Sequence, residues 1–303
     1  MKITEDVHLI ECPLENIFTG VYAILGKRIV LLDAGLSTSP ENAIFPYLSG
    51  IGRDPSEISM VIVTHGHDDH CGGTAAIKRA SGARIAAHAS DAAYVENPAR
   101  VWLDLHRRYP RYHPKPDVEE GNGAKVDLLL RDSMRIDLGP FEAEILHTPG
   151  HTDGSICLYV EKRRMLFTGD SVQGRGTVLQ SGPLVYGDVE DYLSSMKRLK
   201  SLEPKEMLLD HQYLPLNKAV LTGDEVLRML DLSIKCIEEI SEMILKSIKS
   251  CSMDMDQLVE EVKAVYGVST ASMTPCSVVD ATIRSLRRRG LIKVHEGRWM
   301  RVR

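Results

Sequence analysis

The sequence has no CxxC pair. Its six cysteines, at 12, 71, 157, 236, 251 and 276, stand far apart. That spacing argues against a thiolate zinc knuckle and against a disulfide framework, so the cysteines read as small buried residues. Only Cys71 adjoins residues of other chemistry. No apolar run approaches the ~20 residues that a membrane span requires. The opening stretch MKITEDVHLIECP carries acids and lacks the basic-then-apolar order of a secretion signal, so a cytoplasmic location without membrane contact is expected. Five asparagines and four glutamines are few, a mark of heat-adapted proteins, although twelve methionines and six cysteines point the other way. There is no GxGxxG after a strand, which argues against a dinucleotide fold. Internal repeats and low-complexity tracts are also missing.

What remains is an ordinary globular composition, 43% apolar and 26% charged over 303 residues. That length suits one large domain with a small one attached. The net charge of −5 is uneven: residues 251–303 hold nine Lys and Arg against six Asp and Glu, while the rest is acidic. The stretches GVYAILG, RIVLLDAG and ISMVIVTHG predict short β-strands, with SPENAIFPYLSGIG a helix between the last two. GGTAAIKRASG predicts a helix closed by glycine, and ARIAAHAS another strand. Residues 98–123, rich in proline and aromatics, break the rhythm as active-site lids do. Strands resume at SMRIDLG, FEAEILHTPG, SICLYVE and RMLFTGD, followed by a βα unit that ends in EMLLDH. Apolar residues at three- and four-residue steps predict one long helix over 223–250, either a linker or a dimer seam. The last fifty residues read as helices followed by the hairpin LIKVHEGRWMRVR, which is winged-helix-like. The expected division is therefore 1–222, 223–250 and 251–303.

The stretch VTHGHDDHCGG, residues 63–73, places three histidines and two aspartates in six consecutive positions after an apolar run. In extended chain His65 and His67 point to one side and can share a metal. Asp69 and His70 fall where a helix begins and can turn to a second one. Imidazole and carboxylate suit zinc, iron or manganese. Packing does not explain three such histidines, because each would need its own buried partner.

HGHDDH resembles the HxHxDH signature of the metallo-β-lactamase superfamily. HTPGHTDGS is similar to that family's next motif, LFTGD to its bridging-aspartate motif, and LLDHQ stands where its last histidine lies. The family often has GHG there and this chain has DHQ. The resemblance covers about residues 5–215 and implies an α/β fold, a four-layer αββα sandwich, with a small C-terminal helical, winged-helix-like domain. It implies a dinuclear site for two divalent ions, zinc first and iron or manganese next. His65, His67 and His151 would hold one ion, and Asp69, His70 and His211 the other, with Asp170 bridging. It also implies hydrolysis through a hydroxide between the metals, with Asp69 orienting the nucleophile or passing a proton. His147 is left as a structural neighbour of His151, His88 as core, and His106 and His113 as lid residues.

The substrate is less legible. A flavodoxin-like domain, a β-CASP insertion and a glutathione-contact pattern are not recognisable. The reading is a hydrolase of a small (thio)ester or lactone, in the glyoxalase II-like or lactamase-β-like branch. The alternatives are a phosphodiesterase or ribonuclease of the same site chemistry, and a mono-iron persulfide dioxygenase. Trp102, Tyr109 and Tyr112 on the lid are expected to face the cleft, with Tyr186 on the opposite wall. Arg284, Arg287, Arg288 and Arg289 make nucleic-acid contact possible, but a structural tail is favoured because Val278, Ile283 and Leu286 form an apolar stripe beside them.

Overall fold

The computed structural model describes residues 1–113, 123–180, 182–266 and 275–302. Two six-stranded mixed sheets face one another. The first runs in the order β1 (Val7–Leu14), β2 (Ile17–Leu25), β3 (Ile29–Leu32), β4 (Ile58–Ile62), β5 (Arg84–His88), β6 (Leu128–Leu130). Its first three strands are antiparallel and its last four parallel. The second runs β12 (Lys218–Thr222), β11 (Glu206–Tyr213), β10 (Met165–Phe167), β9 (Ile156–Val160), β8 (Glu142–His147), β7 (Arg135–Asp137). Only β10 and β11 pair parallel there, as expected of strands joined through a helix, α6 (Val189–Ser201). The sequence reading omitted β1, β6 and β12. β6 and β12 are short strands at sheet edges, and β1 carries a proline of the kind edge strands tolerate.

Strand alternation builds the layers. On β9, Ile156, Leu158 and Val160 enter the core between the sheets, while Cys157 and Tyr159 face the outer helices. On β2, Tyr22 and Ile24 point inward, whereas Val21 and Ala23 meet the outer layer of Ile44, Leu48 and Ile77. Ile44 and Leu48 come from the segment that ends in α1 (Phe45–Gly50), and Ile77 from α3 (Thr74–Ser81). This is the expected four-layer αββα arrangement. On the far side of the second sheet, the long helix α7 (Asp224–Ser250) buries Val226, Leu230, Ile237, Ile240, Ile244 and Ile248. Against it pack α8 (Met255–Tyr266), α9 (Cys276–Arg288) and a hairpin of β13 (Ile292–His295) and β14 (Arg298–Arg301). Residues 267–274, where the reading allowed a further helix of the tail, lie outside the described residues. No helix among the described residues is long and apolar enough to cross a membrane. All six cysteines are free, and only Cys251 is exposed.

Candidate metal centre

The proposed ligands sit on connections at one edge where the sheets meet. His65 and His67 follow β4. Asp69 and His70 lie on the single turn α2 (Asp68–Cys71), His151 follows β8, and Asp170 follows β10. His211 lies on β11, where the pairing with β12 slips between Leu208 and Tyr213. Two bonds from β2 hold that strand across the sandwich: the Tyr22 hydroxyl donates to Leu209 O (2.6 Å), and His211 Nδ1 donates to Phe18 O (2.7 Å).

The seven side chains fall into two donor groups, His65, His67 and His151 and then Asp69, His70 and His211, with Asp170 grouped with His65 and His70 between them. In the first, His65 Nε2, His67 Nδ1 and His151 Nε2 lie 2.9, 2.9 and 3.1 Å apart. A tetrahedral zinc at 2.0–2.1 Å spaces three nitrogens about 3.3 Å apart, so a metal-sized triangle is already formed. In the second, His211 Nε2 and His70 Nε2 stand 3.2 and 3.4 Å from Asp69 Oδ2. Asp170 spans the two: its Oδ1 is 3.6 Å from both His70 and His211, and its Oδ2 is 3.6 Å from His151.

The outer ring nitrogens decide which lone pairs face inward. His151 Nδ1 donates to Leu184 O, His70 Nδ1 to Asp33 Oδ2, and His211 Nδ1 to Phe18 O. Thr64 gives its hydroxyl proton to Asp33, so its oxygen is free to accept from His65 Nδ1 (3.1 Å). Each Nε2 is thus turned into the cluster, where its lone pair serves a metal once any proton on it is displaced. His70 Nε2 and Asp170 Oδ1 are buried with no hydrogen-bond partner. Native proteins rarely leave such atoms unpaired, and a cation would satisfy both. The residues therefore fit a pair of divalent ions.

Charge separates the two sets. Burial, joined by His70 for His65 and by His151 for His67, drives both imidazoles to the neutral form, His67 down to about 3. Burial likewise lowers His151. Burial also opposes charge on His211, yet Asp170 and Asp69 outweigh it and hold the group up to about 9. Burial would raise Asp69, but His70 and His211 hold it well below the usual carboxylate range.

Several supports were not foreseen from the sequence. Asp33 accepts from Thr64 N (2.7 Å), Thr64 Oγ1 (2.7 Å) and His70 Nδ1 (2.7 Å). Asp210, the first residue of DHQ, lies 3.3 Å from the same nitrogen, and burial pushes its carboxyl well up. Asp91 accepts from Gly66 N and Thr152 Oγ1, tying the two histidine loops together. Gln173 braces the carbonyls of Asp170 and Leu184. The signal for Asp33 and Asp210 is an aspartate closing an apolar strand, where burial demands a partner.

The cluster opens into a cleft of about 800 Å³, counted out to the solvent, with His67, Asp69, Asp170 and His211 at its base. Trp102 and Tyr186 line it as expected, and Tyr186 packs edge-on against His67 at 5.3 Å. Tyr109 and Tyr112 are turned elsewhere. Their hydroxyls donate to Asp280 (2.9 Å) and Asp256 (2.5 Å) on the C-terminal helices, because those carboxylates are the acceptors within reach. Residues 114–122 of the expected lid lie outside the described residues. His106 Nδ1 donates to His113 O within the lid segment. His88 is only partly buried and stacks on His147 at 4.1 Å, away from the ligand sets. Cys71 is fully buried, and burial holds its thiol well above the ordinary range.

Comparison with known proteins bears on the family and the fold. A hydroxyacylglutathione hydrolase of Cereibacter sphaeroides is 28% identical over 169 residues, 55% of this chain and 54% of that one. An acyl-coenzyme A thioesterase of Homo sapiens is 28% identical over 198 residues, 58% of this chain and 64% of that one. The chain thus spans a little over half the length of these curated relatives. A metallo-β-lactamase family protein of Thermus thermophilus shares the fold over 99% of this chain and 100% of its own, with a TM-score of 0.78 at 18% identity. A family model, that of the metallo-β-lactamase superfamily, matches residues 16–211, and this chain belongs to that superfamily.

Proposed function

We propose that the chain is a dinuclear metal-dependent hydrolase of a small (thio)ester or lactone. One observation carries this reading. Asp170 directs one oxygen to each of two donor sets, the arrangement required of a residue that holds two ions as a pair. Two divalent ions so held lower the pKa of water and polarise an ester carbonyl. The protein's own groups complete the site. Asp69 Oδ2, held by the Thr19 hydroxyl at 3.0 Å, borders the cleft and in this reading would orient the attacking water or pass its proton. Leu36, Leu184 and Trp102 exclude bulk water from one side. The two relatives whose names specify thioesters support the substrate class.

A phosphodiesterase or ribonuclease reading would want an open basic groove. The described lining of the cleft contains no Lys or Arg. Elemental analysis together with a panel of thioesters, lactones and phosphodiesters tests the assignment. Two metals per chain and loss of thioester or lactone hydrolysis on chelation, restored by zinc, are expected. One tightly held iron with no hydrolysis would overturn the reading in favour of a persulfide dioxygenase.

A further inference from the structure

The charge of the cleft carries a statement about its substrate. Beyond the ligand cluster, the apolar lobe is bordered by two carboxylates, Glu15 and Asp68, and by no cationic side chain among the described residues. Glu15 stands at the turn between β1 and β2, exposed at the mouth and with positive φ. A second lobe continues past His67 and Tyr186. It adds Asp91, Asp104 and Asp153 and a single cation, Arg108. That guanidinium is already engaged, by Tyr186 O at 2.9 Å and Asp280 Oδ2 at 2.7 Å. Among the described residues, neither lobe therefore offers a free cationic side chain to a carboxylate or phosphate.

An independent feature says what the apolar lobe does offer. Gln180 is 5% exposed and borders the lobe. Its Oε1 accepts from Thr177 N at 3.3 Å, which fixes the orientation of the amide and leaves the Nε2 hydrogens without an acceptor among the described residues. An unpaired amide donor that reaches the lobe suits an uncharged acceptor, such as the carbonyl or amide oxygen of a ligand.

We propose that the cleft selects an apolar acyl thioester or ester with an uncharged acceptor for Gln180 and a neutral or ammonium-bearing leaving group, and that Glu15 at the mouth reads that charge. Away from the two ions, an anionic leaving group would face Glu15 and Asp68 with no cationic side chain among the described residues, and like charges brought together in a partly desolvated cleft repel. Thioesters whose thiol part carries carboxylates or phosphates are therefore poor substrates of this chain. The inference rests on the hydrolase reading for its chemistry but not for its charge preference.

The test uses the full metal-loaded chain and three thioesters of one butyryl group, on thiocholine, N-acetylcysteamine and 3-mercaptopropionate. Their non-hydrolysable thioether analogues are titrated by calorimetry in parallel. The cationic and neutral compounds should exceed the anionic one by about tenfold in kcat/KM and in binding at low salt, the scale of one or two partly screened charge contacts. Glu15→Gln should shrink the cation-to-anion ratio about threefold, and Glu15→Lys should shrink it further. Equal or better use of the anionic compound, or a ratio unmoved by both substitutions, overturns the proposal. Thioether binding in the expected order without turnover of any ester would sink the hydrolase reading while sustaining the charge selection.

Discussion

The ligand cluster and the docked helix α9 both bring carboxylates against nitrogen cations or rings, and they differ in what is left over. In the cluster the groups are buried, and His70 Nε2 and Asp170 Oδ1 find no partner in the protein. On and just after α9 the charges are half-exposed, and all but Arg287 are matched among the described residues. Arg288 pairs with Asp188, Arg289 with Glu190, and Arg284 with Asp280 and the carbonyl of Gly187. A buried atom without a partner costs free energy and persists where something else completes it. An exposed ion pair is worth at most about 1 kcal/mol and reserves nothing. The first pattern marks a site, and the second marks a seam between parts of one protein. Three of the four arginines that suggested nucleic acid in the sequence, Arg284, Arg288 and Arg289, are turned to the body of the protein.

The largest break in this contrast is Asp170→Ala. It removes the one side chain common to both donor sets. Metal content should fall from two ions per chain, and turnover should fall by more than the roughly 100-fold typical of losing an outer partner. Unchanged stoichiometry by elemental analysis would show that the two sets do not act as a pair. Asp33→Ala comes next. It leaves the ligands in place but frees His70 Nδ1 from its acceptor. About 10–100-fold in affinity for the ion at the second set should be lost, with a smaller loss at the first, because Asp33 also fixes the Thr64 hydroxyl that accepts from His65.

Proton linkage sharpens the same contrast between the two sets. In the metal-free protein burial disfavours charge on His211, yet Asp170 and Asp69 hold it up to about 9. Its imidazolium thus stabilises the metal-free fold fully below the unfolded value of about 6.5, and that contribution disappears as pH rises through 9. A metal at the second set must displace this proton. Burial opposes charge on His70 of the same set too, yet Asp69 and Asp170 hold it up as well. Apparent affinity there should therefore fall by about tenfold per pH unit for each proton displaced, and uptake should acidify a weakly buffered solution. The neutral histidines of the first set release none, so equal proton release by both ions would contradict the assignment.

How much of this was legible in the sequence follows from distance along the chain. The ligands announced themselves because HGHDDH crowds costly groups after the apolar strand β4, and local crowding is visible in a string of letters. The sandwich was legible from strands broken by single helices. Asp33 and Asp210 were not, because each is one aspartate beside a turn until folding brings both to His70. The lid tyrosines misled for the same reason. Their aromatic character suggested a substrate wall, but the acceptors that fix their hydroxyls lie 171 and 144 residues away. Twice in RRYPRYH an Arg-Tyr pair grips one aspartate: Arg108 and Tyr109 hold Asp280, and Arg111 and Tyr112 hold Asp256.

That grip predicts a smaller effect. Asp280→Ala removes the shared acceptor of Arg108, Tyr109 and Arg284. Arg108 sits at the end of helix α5 (Ala99–Arg108), which supplies Trp102 and Leu105 to the cleft. Stability should fall by about 1–2 kcal/mol, since Asp280 is only partly buried and water screens the pairs. KM for a small ester should rise a few-fold with kcat less changed, because the wall loosens while the metal ligands stay. A loss confined to kcat would mean that the seam reaches the chemistry itself.

The smallest effect is expected on the exposed face of the tail. Arg287 is exposed and has no ion pair among the described residues, and Arg288 reaches Asp188 from a side chain that is half in solvent. Arg287→Ala and Arg288→Ala should each change stability by less than about 0.5 kcal/mol, since α9 is held by Val278, Ile283 and Leu286, all buried, rather than by its charges. Ester turnover should be unaffected at any salt concentration. An RNA oligonucleotide offered to the wild-type protein should bind weakly, and the variants should bind no worse. If the tail guided RNA, each substitution would remove a phosphate contact and its released counterions. The loss would then be large in low salt and fade as salt rises. A salt-dependent loss of that kind in Arg287→Ala, the arginine that no carboxylate neutralises, would turn the seam back into a binding face. The arginine pairs along α9 leave little charge for such a face.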